Sequence, residues 1–240
     1  MREMEFPKVL VAAPQHESKN YCWEEWRDRA KNLTYPNYDI MLADNSPTKE
    51  NLEMIRADGI RCKYVRQNPQ GLIATINDGH NSCREYALKN GYDYLLHLET
   101  DIIPPFDVIE RLMNNKVKVC SGLYDIFYGT KRKLMLQTGE KYDRTVRSFR
   151  NVEFVDDGEM EVFNGKIQRV YHPGIGCALI VREVLEQIPF RITRGNHLHS
   201  DTWFANDCSS YNIPIYIDPT VQCKHLNFTW LSQIDELVNN

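Results

Sequence analysis

Long apolar runs are missing from this chain of 240 residues. None approaches the roughly 18 residues that a membrane-spanning helix needs. The opening segment, Met1 to Pro7, also lacks the apolar stretch of a secretory signal. The seven cysteines (Cys22, Cys62, Cys83, Cys120, Cys177, Cys208 and Cys223) are scattered, odd in number and nowhere arranged as C-x-x-C. That usage argues against a disulfide framework and a zinc knuckle, and for a reducing compartment, so the expected location is cytoplasmic. Positive charge is not in excess either. The 29 Lys and Arg face 33 Asp and Glu, for a net charge of −4, so no general nucleic-acid footprint is expected. The basic cluster Lys131-Arg132-Lys133 with Arg144, Arg147 and Arg150 reads as a solvated loop face. Glycine-rich phosphate loops are lacking too. Gly174-Ile175-Gly176 does not extend into the G-x-G-x-x-G fingerprint of dinucleotide folds.

What is present is a globular composition, 42% hydrophobic and 11% aromatic, enough for one sizeable domain. Up to residue 125 strand and helix patterns alternate. Strands are expected over Lys8–Ala13, Tyr38–Ala43, Ile60–Val65, the run Tyr92–Leu98, and Val117–Leu123. Helices are expected over Trp23–Leu33, Pro47–Ala57 with Ser46 as N-cap, Thr75–Lys89 and Phe106–Met113. This alternation implies parallel βαβ units. Residues 126–170 are polar and irregular. Beyond them a strand over Cys177–Val181, a helix near Arg182–Gln187, a helix over Asp201–Tyr211, a strand over Pro214–Ile217 and an extended Val221–Leu226 are expected. The fold class is therefore α/β, a single domain with a mainly parallel central sheet flanked by helices.

The run ending at Leu98 stops abruptly in Glu99-Thr100-Asp101, followed by Ile102-Ile103 and Pro104-Pro105. In open α/β sheets ligands bind beyond the carboxyl ends of strands. Two carboxylates at such a place suit a hard divalent cation whose shell is completed by phosphate oxygens.

From Asn81 through Gly91-Tyr92-Asp93 to Glu99-Thr100-Asp101 and Pro104-Pro105, the chain resembles the core of GT-A fold glycosyltransferases, especially the large family 2 group. Two more stretches follow in the family's order. Pro173-Gly-Ile-Gly-Cys-Ala-Leu-Ile-Val is similar to its Gly-rich segment. Ser200-Asp201-Thr-Trp-Phe, with Tyr211-Asn-Ile-Pro-Ile and then His225, is similar to its acidic pair and C-terminal histidine.

The resemblance implies a metal-dependent glycosyltransferase, inverting, moving a sugar from a nucleotide-diphosphate sugar, a UDP-sugar above all, to an acceptor hydroxyl. Residues 1–125 would form the nucleotide-sugar half and 126–240 the acceptor and catalytic half. Asp101 and His225 would hold Mn²⁺ or Mg²⁺. Glu99 stands where the motif usually has its first Asp; it would meet the ribose or a metal-bound water, with Thr100 beside it on the donor. Pro14, Asp44 and Asn45 would line the base pocket, and Gln67, Asn68 and Asn81 the diphosphate side. Gly174 and Gly176 would let backbone approach the sugar. Asp201 would be the general base, preceded by Ser200 where the family has a second acid. Trp203, Phe228 and Trp230 are candidate stacking residues, although core packing is their more frequent fate. The acceptor is open: a glycan, another hydroxyl, or a modified nucleobase, with nucleic acid not favoured. Two alternatives stand beside this reading. A nucleotidyltransferase should carry a Gly-rich, Lys- or Arg-bearing loop after the first strand, where this chain has Ala12-Ala13-Pro14-Gln15-His16. A GT-A-like binding module without catalysis is the other.

Overall fold

A computed structural model describes residues 6–128, 131–138, 142–143, 148–149, 153–156, 165–193 and 198–226. Arg144, Arg147, Arg150, Phe228 and Trp230 lie outside these residues. The chain begins with β1 (Val9–Gln15), a 3-10 helix over Glu17–Cys22, α1 (Trp23–Lys31), β2 (Tyr38–Asp44), α2 (Glu50–Ala57), β3 (Arg61–Tyr64) and α3 (Leu72–Lys89). Next come β4 (Tyr94–Leu98), β5 (Ile102–Ile103), α4 (Val108–Asn114) and β6 (Val119–Leu123). Short strands follow, β7 (Asp125–Tyr128), β8 (Lys131–Thr138), β9 (Tyr142–Asp143), β10 (Ser148–Phe149), β11 (Glu153–Asp156) and β12 (Gln168–Val170). The remainder comprises β13 (Cys177–Val181), α5 (Arg182–Gln187), α6 (Ser200–Ser210), β14 (Ile215–Gln222) and β15 (Lys224–His225).

The central sheet runs β12-β14-β6-β13-β4-β1-β2-β3. Its pairs β1–β2, β1–β4, β2–β3 and β6–β14 are parallel, whereas β13 runs antiparallel to both β4 and β6. The expected mixed, mainly parallel α/β sheet is thus present, and strands from both halves of the chain share it.

Successive residues of a strand point to opposite faces, and here both faces are covered. Val9, Val11 and Ala13 enter the core beneath Trp23 and Trp26, while Leu10 and Ala12 enter the one beneath Cys83, Ala87 and Phe204. That two-sided burial explains the unbroken apolar run at Val9–Ala13. Helix α1 buries Trp23, Trp26 and Ala30, a three- and four-residue spacing that puts one stripe on the sheet. All seven cysteines are free and buried. No described helix is long and apolar enough to cross a membrane.

Several local expectations are corrected. The first strand runs through Pro14 to Gln15 instead of ending at Pro14. Asn45 N–H donates to the Gln15 carbonyl oxygen, so in this alternating ladder Pro14 faces the β4 side. Pairing with β4 has already ended at Ala12, and the missing N–H breaks no bond. Ser46 does not cap α2, which begins at Glu50. Its hydroxyl donates to Asp44 Oδ1 (2.7 Å) and accepts from the Glu17 N–H (2.9 Å). Helix α6 begins at Ser200, one residue before the expected start, and His199 holds the cap position. The separate strand and extended segment near the end are one long strand, β14, followed by β15.

Candidate active site

The site is set by which strand ends meet. β1, β4 and β6 are mutually aligned, and their carboxyl ends share one edge of the sheet. Because β13 is antiparallel to β4, its amino end, with His172 and Gly174–Gly176 before it, reaches that same edge. β14 runs parallel to β6 and delivers β15 there too.

β5 and β15 form a two-residue antiparallel ladder, Ile102 opposite His225 and Ile103 opposite Lys224, extended by Leu226 N–H donating to the Asp101 carbonyl oxygen (2.8 Å). This brings Asp101 and His225 together. His225 Nε2 lies 3.6 Å from Asp101 Oδ2, while its Nδ1–H donates to the Asp125 carbonyl oxygen at 2.5 Å. That second bond orients the ring and aims Nε2 at the carboxylate, the arrangement a metal-ligating imidazole uses. Tyr124 packs edge-on against the His225 ring (centroids 5.6 Å apart).

Glu99 and Asp101 share a cation that the sequence reading missed. Lys19 Nζ donates to Asp101 Oδ1 at 2.9 Å and to Glu99 Oε2 at 3.0 Å. Burial works against the Lys19 charge, but the two carboxylates hold its pKa above the ordinary lysine range. Asp101 is the mirror case: burial acts to raise its carboxyl, yet Lys19 and His225 keep it below the usual carboxylate range. His225 is raised despite burial, by Asp101.

Thr100 is buried, and its hydroxyl donates to Gln15 Oε1. From there a one-way chain of donors continues: Gln15 Nε2 to Asn20 Oδ1 (3.2 Å), Asn20 Nδ2 to Asn51 Oδ1 (2.9 Å), Asn51 Nδ2 to Asp44 Oδ1 (2.7 Å). The acidic triplet and Asp44 therefore belong to one polar network. Asp44 Oδ2 and Asn45 Oδ1 are buried with no hydrogen-bond partner among the described residues. Such orphaned acceptors are costly to leave unmatched and fit a ligand that brings donors.

Asp201 opens α6. Its Oδ1 accepts from the Thr202 N–H (2.7 Å), and its Oδ2 faces His172 Nε2 at 3.6 Å. Burial pushes the carboxyl up, but the His172 imidazole and the Thr202 N–H hold it below the ordinary carboxylate range. His172 is 2% exposed, and among the described residues neither of its ring nitrogens has a hydrogen-bond partner. Beneath lies a buried aromatic layer. His80 Nδ1 bonds the Ser200 hydroxyl (2.7 Å), and His97 Nδ1–H donates to the Ile175 carbonyl oxygen (2.7 Å). The two rings meet edge to face, centroids 4.9 Å apart. His97 and Tyr124 each feel the charges of both Glu99 and Asp201, which ties the two acidic centres to one region.

The remaining predicted residues divide. Gly176 takes part directly: its N–H donates to Tyr124 Oη (2.9 Å) and its carbonyl accepts from the Glu99 N–H (2.9 Å). A Cβ there would sit 2.8 Å from the Tyr124 ring, so Gly176 is needed for that close approach. Gly174 has φ +68°, the left-handed region. Pro14 packs against Gly79 of α3. Gln67 is exposed on the loop after β3, and Asn68 is tied to Asp78 (2.8 Å). Asn81 is not gathered in: its amide donates to the Phe190 carbonyl (2.7 Å) and accepts from the Phe190 N–H (3.1 Å). Trp203 is buried, with the Arg191 guanidinium 4.2 Å over its ring, which is core packing rather than an open stacking platform.

Among the described residues no cluster of three or more His, Cys, Asp or Glu is arranged to hold a metal. Asp101 and His225 alone fit one as a two-ligand set, with substrate oxygens completing the shell.

No protein-family model matches the chain, and a search of curated proteins finds no match. Solved structures do match. A mannosyltransferase from Pyrobaculum calidifontis, in complex with GDP-Man and Mn²⁺, superposes with TM-score 0.58 at 16% identity over 93% of this chain. The protein A197 from STIV matches at TM-score 0.46 and 16% identity, covering 91% of this chain and 85% of its own. This chain spans 58% of the mannosyltransferase's length. The fold is that of a GT-A-type glycosyltransferase.

Proposed function

We propose that the protein is a metal-dependent glycosyltransferase that uses a nucleoside-diphosphate sugar, with Asp201 as general base and inversion at the anomeric carbon. The observation that carries this reading is the convergence of Asp101 and His225 at the carboxyl edge of the sheet, on a fold shared with a structure holding GDP-Man and Mn²⁺. The order of the motifs along the sequence, similar to that of family 2 enzymes, is the other ground for the reading.

Asp101 and His225 Nε2 would hold the divalent ion, which when bound supplies Lewis-acid stabilisation of the departing diphosphate. Asp44, Asn45 and the Gln15–Asn20–Asn51 chain would receive the nucleoside, whose donor groups match the orphaned acceptors. The acceptor hydroxyl would hand its proton to Asp201 Oδ2 as its oxygen bonds to the anomeric carbon. The bond from that carbon to the diphosphate breaks, and the diphosphate leaves with the electron pair. The depressed Asp201 carboxyl is ionised at neutral pH, as a base must be, and the adjacent His172 ring stabilises the ionised form.

Sugar release from a panel of UDP- and GDP-sugars with Mn²⁺ or Mg²⁺ tests the reading, with binding followed by calorimetry. Metal-dependent turnover of at least one donor, abolished by Asp101→Ala, is expected. Neither binding nor turnover with any donor would overturn it.

A further inference from the structure

Lys19 is not a loose surface lysine. It sits on the 3-10 helix, where its N–H donates to the His16 carbonyl oxygen (2.9 Å) and its own carbonyl accepts from Cys22 Sγ (2.9 Å). The backbone is fixed at both ends, and Nζ spends two of its three N–H donors on Asp101 and Glu99. Both ligand positions of the proposed metal site touch this arrangement. Asp101 gives Oδ1 to Lys19 and turns Oδ2 toward His225, so an ion held by Oδ2 and Nε2 stands one carboxylate away from an ammonium. A divalent cation there meets like charge in a half-buried setting, where repulsion is poorly screened. A diphosphate changes the balance. It brings negative charge and gives the ammonium oxygens to bond in place of Asp101 and Glu99.

We infer that Lys19 is the resident counter-cation of this site, and that it makes divalent-ion binding conditional on a nucleoside diphosphate. The inference rests on the glycosyltransferase reading and adds to it an order: the ion binds weakly alone and tightly with the diphosphate. The neighbouring residue supports the coupling. Asn20, on the same 3-10 helix, is the middle link between Gln15 and Asn51 in the chain that ends on Asp44. The segment that holds the ammonium therefore also reaches the proposed nucleoside pocket. By reciprocity the ion must tighten diphosphate binding by the factor by which the diphosphate tightens the ion.

The test is Mn²⁺ binding to the full chain, read from loss of the free-ion electron paramagnetic resonance signal, with Mn²⁺ alone and with UDP or GDP. The association of Mn²⁺ with nucleotide in solution is subtracted. In the wild type the diphosphate is expected to tighten Mn²⁺ by about tenfold or more. Lys19→Met is expected to bind Mn²⁺ alone about tenfold tighter than the wild type, and to lose most of the diphosphate effect. Lys19→Arg, which keeps the charge, is expected to stay weak. Circular dichroism checks that each variant folds, and Lys19→Gln, which also removes the charge, takes the place of Lys19→Met if that variant does not. Independent binding of ion and diphosphate in the wild type overturns the inference. So does a Lys19→Met affinity equal to or below wild type. If ion binding survives Asp101→Asn in the Lys19→Met background, the ion is not at this site and the glycosyltransferase reading fails with the inference. Loss of ion binding in that double variant, with no Lys19 effect, leaves the reading standing and removes the inference alone.

Discussion

His172 Nε2 faces Asp201 Oδ2 across 3.6 Å, and among the described residues the imidazole has no hydrogen-bond partner. The carboxylate proposed as general base is thus faced by one buried ring and held on its other oxygen by the Thr202 N–H.

Replacing Asp201 by Asn should leave donor binding intact and lower transfer by about 10²- to 10⁴-fold, the usual contribution of a general base. Replacing His172 by Phe keeps ring volume but removes the nitrogen. Turnover should fall while donor affinity holds, and the acid limb of the pH–rate profile should move upward as the Asp201 carboxyl loses the neighbour that depresses it. Single-turnover rates against pH check this. An unchanged profile in His172→Phe would remove the positioning role.

The paired imidazoles of His80 and His97 should make the fold sensitive to mild acid. Burial, and for His80 its neighbour His97, holds both below the ordinary histidine pKa. Unfolded, each titrates near about 6.5. Below that pH the unfolded chain takes up protons that the folded chain refuses. The stability is therefore present in full above about pH 6.5 and lost below it, at about 1.4 kcal/mol per pH unit for each ring kept neutral. Urea midpoints at pH 7.5, 6 and 5 measure the slope. His97→Asn should flatten it.

Asn81→Ala separates packing from donor binding. Its amide closes both backbone groups of Phe190, so the substitution leaves a buried donor and acceptor unmatched, at about 1–3 kcal/mol of stability. Nucleotide affinity should not change. Denaturant titration alongside calorimetry distinguishes this from a residue lining the diphosphate.

Gly176→Ala places a methyl carbon where the Tyr124 ring already lies. Overpacking of this kind costs about 1–3 kcal/mol. Displacing Tyr124 also disturbs the His225 ring beside it, so Mn²⁺ affinity with nucleotide present should fall as well. A stable variant with wild-type Mn²⁺ affinity would refute the link.

Elements whose burial follows from their own pattern were legible in the sequence. Cys177–Val181 and Arg182–Gln187 have the expected bounds, because a five-residue apolar run followed by charged helix formers admits little else. The candidate site was legible only where the family-like motifs lay, at Asp101, Asp201 and His225. Lys19 left no such trace. Glu17–Cys22 reads Glu-Ser-Lys-Asn-Tyr-Cys, a polar stretch without period, and it is ordered by tertiary ion pairs that no local pattern encodes. β5 and β15, at two residues each, are too short for any periodicity to register. His172 gave one usable signal, an isolated histidine directly before Pro173-Gly174, and its burial came from the antiparallel turn of β13 toward the site.

The small ladder between β5 and β15 also dictates when the site can exist. Its two strands come from opposite halves of the sequence, so closing it joins distant stretches of chain. Until it closes, Asp101 has no imidazole opposite it. An ion held by both residues, as proposed, would need that ladder closed beforehand. Its capture would then report that the two halves of the chain have met.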